Sequence, residues 1–167
     1  LIENELDFGI LFLPVENEEF ETIPLFSEEL SLVVPKNHPI AKQEEVDFNQ
    51  LEDIPMILLP EDFYIRKLIQ MFSIEADITI RPILEMITMT SIIDLVAKRL
   101  GATILPLPFV TSLNNKDIKS INIKNPTLET EIGIVYRKDK FMCAATRAFI
   151  SLLEEHKSPL EMAEGMG

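Results

Sequence analysis

The sequence predicts an α/β fold, and three observations support that prediction. Short apolar segments of strand length alternate with amphipathic helical segments, as they do in helices packed on a parallel sheet. Residues 85–106 contain one such unit in full: a strand end, a polar turn, an amphipathic helix, a glycine and a second apolar strand. Hydrophobic residues make up 47% of the 167 positions, enough to bury a core in one domain or two small lobes.

The first element that the chain predicts with clarity is an apolar strand. Residues 1–5 are expected to form the last turn of a helix, and Leu6–Phe12 a strand covered on both faces, since nearly all its residues are apolar. So apolar a strand at the beginning predicts that an N-terminal part of the same lobe is missing. Pro14 and the mostly acidic residues 16–19 then predict a loop.

Two more strand segments follow this loop. Phe20–Phe26 alternates loosely between apolar and polar residues, and residues 27–29 predict a break. Leu30–Val34 is a short apolar strand that ends at Pro35, and the Lys-Asn-His-Pro sequence after it predicts a turn. Gln43–Leu51 is mostly polar and is expected to be a loop with a short helical turn.

The middle of the chain predicts a strand, a helix and an interrupted strand. Pro55–Leu59 has the composition of a buried strand. A helix is expected to open at residues 60–62, where two acids suit the positive end of its dipole. Its apolar residues are Phe63, Ile65, Leu68, Ile69 and Phe72. Ile78–Leu84 is expected to be an edge or bulged strand, because Pro82 cannot donate to a ladder.

The next helix has apolar residues at three- and four-residue spacing, which gives it one apolar face. These residues are Met89, Ile92, Ile93, Val96 and Leu100. A Ser-x-x-Asp pattern that begins at Ser91 matches a capping box, with Thr88 and Thr90 as alternative caps. Gly101 is expected to end the helix in the left-handed conformation, and the apolar residues 102–106 to form a buried strand.

The last third of the chain predicts two strands between two helices. Leu107–Leu113 is expected to be a short helix or turn, and Phe141–Glu155 a long amphipathic helix. Ile118–Ile123 and Glu131–Tyr136 have the patterns of strands. Cys143 falls in the apolar-rich start of the last helix, so its thiol is expected to be buried and unreactive.

Charge and composition exclude several classes of function. The chain has 28 acidic and 15 basic residues, a formal net charge of −13, so it is not expected to bind DNA by itself. No apolar run approaches the length of a membrane-spanning helix, and no secretory leader is visible. A single cysteine allows no internal disulfide, which agrees with a cytoplasmic location. Because the chain begins at Leu1, a processed or truncated start is expected.

No cofactor, metal or catalytic group is predicted. His38 and His156 are far apart and have no carboxylate or thiolate at metal-ligand spacing, so a turn and a helix end explain them. The phosphate-binding glycine loops and the Gly-x-Ser-x-Gly motif of hydrolases are not found. The acidic runs are expected to be solvated loops.

Three segments, in order, resemble the LysR-type transcriptional regulators. Glu5–Ile10 (ELDFGI) is similar to their G-x-L-D-L-G-I strand. Leu30–Ala41 (LSLVVPKNHPIA) is similar to their LxLVVPxxHPLA crossover. Leu95–Pro106 (LVAKRLGATILP) is similar to their LVAAGLGIALLP segment. The residues around Pro14 and Glu61–Arg66 most resemble the branch that contains regulators of cyanate and citrate metabolism.

The resemblance implies a fold of the type 2 periplasmic-binding-protein kind, with two Rossmann-like lobes and an effector in the cleft between them. Residues 30–35 and 131–137 would be the crossover strands, and 36–130 the second lobe. The first lobe, incomplete in this chain, would comprise residues 1–29 and 138–157, and residues 158–167 would be a frayed tail. The winged helix-turn-helix domain of such regulators is absent from this sequence.

Eight residues are candidates for effector binding. Arg66 lies near a helix start, where its guanidinium could pair with a carboxylate; the alternative is a surface ion pair with Glu61 or Asp62. Three hydroxyl residues at the next helix start could bind an anion or simply cap the helix: Thr88, Thr90 and Ser91. Four residues at strand exits would form apolar walls, or else ordinary loops: Leu13, Pro14, Pro60 and Phe63.

The sequence therefore predicts a ligand-sensing domain of a LysR-type regulator. The expected effector is a small molecule, plausibly a small carboxylate or inorganic anion, whose signal passes to the absent DNA-binding domain of a homodimer or homotetramer. A solute-binding protein of a transporter is the alternative, because it shares the lobe architecture. An enzyme on this fold is a third option, for which no acid-base or nucleophilic cluster is found.

Overall fold

The computed structural model describes residues 6–15, 17–139 and 142–155, and these divide into two compact units. The first unit is formed by residues up to Glu28 and from Thr130 onwards, and the second unit is Glu29–Glu129. The predictions for residues 1–5, Glu16, His156 and the C-terminal tail lie outside the described residues.

The helices and strands of the described chain are β1 (Phe8–Leu13), β2 (Phe20–Pro35), β3 (Glu45–Asp47), β4 (Met56–Leu58), α1 (Tyr64–Glu75), β5 (Pro82–Glu85), α2 (Met89–Ala97), β6 (Thr103–Pro106), α3 (Leu107–Ser112), β7 (Ile118–Lys124), β8 (Glu129–Arg137) and α4 (Ala144–Glu155). Two 3-10 turns, Pro39–Lys42 and Phe48–Asp53, flank β3. The second of these overlaps the helical turn expected within Gln43–Leu51, whereas the short strand β3 in the same range was not predicted. No helix of the described part is long and apolar enough to cross a membrane.

The first unit is a small sheet that packs against α4. β8 lies between β1 and β2, and it pairs antiparallel with β1. The core of this unit contains Leu25, Ile134 and Ile150, with partly buried Phe8, Ile23, Phe26, Tyr136, Met142 and Leu153 packed against it. A Cβ on Gly133 would lie 2.7 Å from the carbonyl oxygen of Ile23, so this residue permits close packing inside the sheet.

The second unit combines antiparallel and parallel pairing. The C-terminal half of β2 pairs antiparallel with both β6 and β7, and β3 adds to β7 in parallel. β4 and β5 are parallel, and a parallel bridge between Met56 and Ala102 joins β4 to the residue before β6. The largest fully buried side chains among the described residues lie here: Phe48, Leu30, Leu32, Leu51, Met56, Ile57, Leu58, Ile92, Ile104, Leu105, Ile121 and Ile123.

Two strand predictions need correction. Parallel pairing was expected from the alternation of strands and helices, and β3–β7, β4–β5 and the β4 bridge are parallel, but β1–β8, β2–β6 and β2–β7 are antiparallel. The break predicted at residues 27–29 is wrong, because β2 is one continuous strand of 16 residues. These polar residues do not interrupt the strand, because side chains alternate between its two faces: Ser27 and Glu29 are on the exposed face while the backbone pairing continues. The edge or bulge expected from Pro82 is confirmed, since β5 begins there and its register shifts opposite Met56.

The end of α2 also differs from the prediction. The helix stops at Ala97, and Arg99 takes the left-handed conformation (φ 65°) that was expected of Gly101. Leu100 therefore leaves the apolar face and is 54% exposed. Gly101 has another role, because a Cβ there would lie 2.9 Å from the carbonyl oxygen of Pro55. Glycine lets the chain approach Pro55, whose carbonyl accepts the N–H of Ala102 at 2.8 Å.

Cys143 is exposed, so the prediction of a buried thiol is wrong. It directly precedes α4, outside the apolar face of that helix. Its Sγ lies 3.2 Å from the hydroxyl of Thr146 and accepts the Thr146 N–H at 3.4 Å. The hydrogen bond with the Thr146 hydroxyl has the larger effect and the bond from the Thr146 N–H the smaller, and together they hold the pKa of the thiol below its usual value.

Candidate functional site

The carboxyl ends of β4 and β5 lie side by side in the second unit. Leu58 is in register with Glu85, and the N–H of Met86 donates to the carbonyl of Leu58 at 3.0 Å. Each strand then leads into a helix, so the starts of α1 and α2 follow the same edge of the sheet. Open α/β sheets bind ligands at the carboxyl ends of their parallel strands. We call residues 59–66 and 85–91 the strand-exit edge.

Pro60 and Phe63 form the turn that leads from β4 to α1. The Phe63 N–H donates to the carbonyl of Pro60 at 3.0 Å, and Phe63 occupies the N-cap position with no side-chain hydrogen bond to the helix. The helix begins at Tyr64, so the acids Glu61 and Asp62 precede its first turn, contrary to the prediction. Phe63 is 41% exposed and presents an apolar surface at the strand-exit edge.

Thr88 is the cap of α2. Its Oγ1 accepts the N–H of Ser91 at 3.3 Å and donates to the Ser91 hydroxyl at 2.7 Å. Thr88, one of the two alternative caps, is therefore the N-cap, and the capping box predicted to begin at Ser91 does not cap the helix. Thr90 is exposed, and its hydroxyl has no hydrogen-bond partner in the described chain. Capping thus occupies Thr88 and Ser91 and leaves Thr90 open to other partners.

Arg66 is the buried cation of this region. The residue is 8% exposed, and its Nη1 lies 3.5 Å from Oε1 of Glu85, the last residue of β5. The partner is neither Glu61 nor Asp62, so the predicted surface pair is wrong. This long contact engages one of the five guanidinium donors, and the others have no partner among the described residues. Arg66 also lines a pocket of about 200 Å³ beside Gln70 and Ser73.

Leu13 and Pro14 belong to the first unit, while the other six candidates lie on the strand-exit edge of the second. Leu13 is buried at the end of β1, where its side chain fills the space that a Cβ on Gly133 would need. Pro14 is exposed and follows a cis peptide bond. Sequence reasoning missed Glu85, because its pairing with Arg66 depends on the β4–β5 register.

The comparison with protein families identifies the kind of domain that carries this edge. Residues 1–158 match the family described as LysR substrate binding domain. The chain belongs to the LysR substrate-binding domain family. The family predicted from three sequence segments is confirmed, whereas the proposed branch within it stays a prediction.

Curated relatives of this LysR domain are named as transcriptional regulators. The uncharacterized HTH-type transcriptional regulator YwbI of Bacillus subtilis (strain 168) is 30% identical over 158 residues, which cover 95% of this chain and 52% of that protein. The transcriptional dual regulator GltC of the same organism is 27% identical over 82% of this chain and 46% of its own length. The chain spans about half the length of these relatives. Their names favour a regulator over a transporter component.

Solved structures share the fold of this LysR domain. The effector binding domain of QuiR, in complex with shikimate, superimposes with a TM-score of 0.84 at 27% identity, covering 94% of this chain and 74% of that chain. The regulatory domain of CcmR from Synechocystis PCC6803, in complex with 2-PG, gives a TM-score of 0.86 at 18% identity, covering 95% and 76%. The second likeness concerns the fold alone. The predicted α/β class of the type 2 periplasmic-binding-protein kind is confirmed.

Proposed function

We propose that this chain senses a small organic anion for a transcriptional regulator, with the strand-exit edge as part of its binding site. The observation that carries the proposal is the meeting of two helix starts and a buried guanidinium at the carboxyl ends of β4 and β5. Helix N-termini and arginine side chains both favour negatively charged ligands. The shikimate complex of QuiR, whose effector binding domain is 27% identical to this chain, supports a carboxylate as the charged group.

Each candidate residue of the strand-exit edge has a proposed role in this site. Thr90 donates its free hydroxyl to the anion, and Thr88 and Ser91 hold the α2 start in place. Arg66 pairs with the carboxylate through guanidinium donors that Glu85 leaves open. Pro60 and the exposed ring of Phe63 contact the apolar body of the ligand. Leu13 and Pro14 lie in the first unit and stay predictions from the sequence, with no role assigned to them at the strand-exit edge.

The response is proposed to reach DNA through a part of the protein outside this chain. A net charge of −13 disfavours contact with phosphates, and the relatives named as HTH-type regulators are about twice as long. We propose a homodimer or homotetramer in the cytoplasm, with no catalytic activity. The ligand shifts the conformational equilibrium of the domain only to the extent that it binds one conformation more tightly than another. A secretory leader or a lipid-anchored cysteine in the full gene would instead favour the transporter alternative.

Calorimetric titration of the chain with shikimate, citrate and cyanate tests the site. We expect at least one of these three anions to bind the parent chain. Arg66→Met is expected to weaken that binding about tenfold or more, which corresponds to a loss of about 1.4 kcal/mol or more in binding free energy. Arg81→Met is the matched control, because Arg81 is an exposed cation just before β5. Circular dichroism establishes that both variants are folded.

Three outcomes would count against this proposal. Equal affinity in Arg66→Met and Arg81→Met would remove Arg66 from it. Binding that Thr90→Val leaves unchanged would remove the hydroxyl of α2. Binding of an uncharged analogue such as an amide as tightly as the acid would contradict the anion class itself.

A further inference from the structure

A second pocket of the second unit lies at the opposite edge of the sheet from the strand-exit edge. It is formed where β4 and β6 begin, beside the turn that follows β2, and its volume is about 290 Å³. Ile54 and Pro55 precede β4, Gly101 and Ala102 precede β6, and Asn37 lies in the turn. We call it the strand-entry pocket. Its size is at the lower end of the range for small-molecule sites.

The charge of the strand-entry pocket is opposite to that of the chain. The sequence has 28 acidic residues, yet none of the residues that line this pocket is acidic. Arg99 lines it, and the side chain of Arg99 has neither an ion pair nor a hydrogen bond within the described chain. A cation without a carboxylate partner in so acidic a molecule leaves its full charge for a ligand.

The backbone at Arg99 gives a second, separate indication. Arg99 has φ of 65°, a conformation that residues with a side chain rarely adopt and that glycine adopts freely. This chain therefore has an arginine at a strained position where glycine would fit without strain. Residues retained in strained backbone are concentrated at functional sites.

The remaining walls supply hydrogen-bond donors and a rigid apolar surface. Nδ1 of His38 accepts the N–H of Ile40 at 3.3 Å, so the neutral imidazole carries its hydrogen on Nε2 as a second donor. The amide of Asn37 adds further donors. Ile54 and the half-exposed Leu100 form apolar walls. Three prolines fix the backbone around them, so little conformational freedom is lost when a ligand binds.

We propose that the strand-entry pocket binds a small organic anion, a carboxylate or phosphate on a compact apolar body. Arg99 pairs with the charged group, His38 and Asn37 donate hydrogen bonds to it, and Ile54 and Leu100 contact the apolar part. This site is separate from the strand-exit edge. Helix α2 runs between them, with Thr88 at its first end and Arg99 just beyond its last. The two sites therefore lie at opposite ends of this helix, one at its start and the other beside the residues that follow its end.

Titration by amide-resolved NMR tests this second site on the whole chain. The probes are cyclohexanecarboxylate, cyclohexyl phosphate and the uncharged cyclohexanecarboxamide. We expect saturable shifts at Asn37, His38 and residues 99–102 with the carboxylate, the phosphate or both at millimolar concentration, and none with the carboxamide. The two charged probes show which anion the pocket prefers.

Two variants remove the charge in different ways. Arg99→Gly relieves the left-handed backbone, and Arg99→Gln retains it, so both are expected to fold and both to weaken binding about tenfold or more. Lys98→Gln removes a neighbouring charge and is expected to bind as the parent does. Thr90→Val, which alters only the strand-exit edge, is expected to leave this site unchanged.

The proposal is overturned by any of three results: no saturable shift with either anion, binding by both Arg99 variants that is as tight as binding by the parent chain, or shifts confined to residues 59–66 and 85–91. The last result would support the strand-exit edge and exclude the strand-entry pocket. If the strand-exit site binds no ligand, the shifts around Arg99 are still expected, so each proposal can fail without the other.

Discussion

Glu28 shows how a single side chain ties stability to pH. It lies on β2 at the end of the first unit, half-buried, and burial raises the pKa of its carboxyl above the usual 4.5. Burial penalises the carboxylate only in the folded chain, so ionisation destabilises the fold once the pH rises above the unfolded-state pKa. Below that pKa both states are protonated and the penalty is absent.

We therefore expect Glu28→Gln to be more stable than the parent chain at pH 7, with a gain that shrinks as the pH falls towards 4.5. Urea unfolding at several pH values measures it. Glu29→Gln is the control, because Glu29 is the exposed neighbour on the same strand and loses the same charge. An equal gain in both variants would mean that net charge, and not burial, is responsible.

At the scale of elements, the end of α2 gives a paired prediction. Arg99→Gly is expected to stabilise the chain by about 1 kcal/mol, because glycine adopts φ of 65° without the clash of a Cβ. Gly101→Ala is expected to destabilise it by about 1–3 kcal/mol, because the new Cβ meets the Pro55 carbonyl at 2.9 Å and Ile57 Cγ1 at 3.1 Å. Urea denaturation midpoints compare the variants.

Lys98→Gly is the control for the flexibility that glycine adds to the unfolded chain. Lys98 has φ of −79°, so glycine there brings no relief and is expected to destabilise. If Arg99→Gly is destabilised as much as Lys98→Gly, the left-handed backbone at Arg99 is not strained.

The same helix shows which parts of an element can be predicted from sequence. The apolar spacing predicted the buried face of α2 correctly, since Ile92, Ile93 and Val96 are buried as expected. Its end was predicted wrongly, because Gly101 was assigned to the cap while its true constraint comes from Pro55, 46 positions earlier in the sequence. Contacts of this kind depend on tertiary packing, which the local pattern does not contain.

At the scale of the whole molecule, a rule of topology predicts where the strand-exit edge lies, but it does not predict the Arg66–Glu85 ion pair within it. The exits of β4 and β5 were predicted to carry the site because parallel strands end at one edge of a sheet. The partner of Arg66 was not predicted, since Glu85 lies 19 residues away and reaches it only through the β4–β5 register.

The net charge of −13 also acts on the whole molecule, and its effect on stability can be measured. Like charges repel each other in the compact state, and salt screens them over a distance that falls from about 30 Å at 10 mM to about 10 Å at 0.1 M. Opposing this, salt also weakens favourable ion pairs such as Lys119–Glu44 and Lys124–Glu45, but exposed pairs contribute only about 0–1 kcal/mol each. Because acids outnumber bases 28 to 15, repulsion is the larger effect.

We expect the urea midpoint to rise when NaCl is increased from about 10 mM to about 300 mM. Chloride is the right anion for this test, because sulfate stabilises proteins by exclusion from their surface whatever their charge. The triple variant Glu18→Gln, Glu61→Gln, Asp62→Asn changes three exposed acids and reduces the formal charge from −13 to −10, so its midpoint should rise less with salt. A midpoint that falls with NaCl would show that ion pairs outweigh repulsion, and an equal rise in the triple variant would separate the salt effect from net charge.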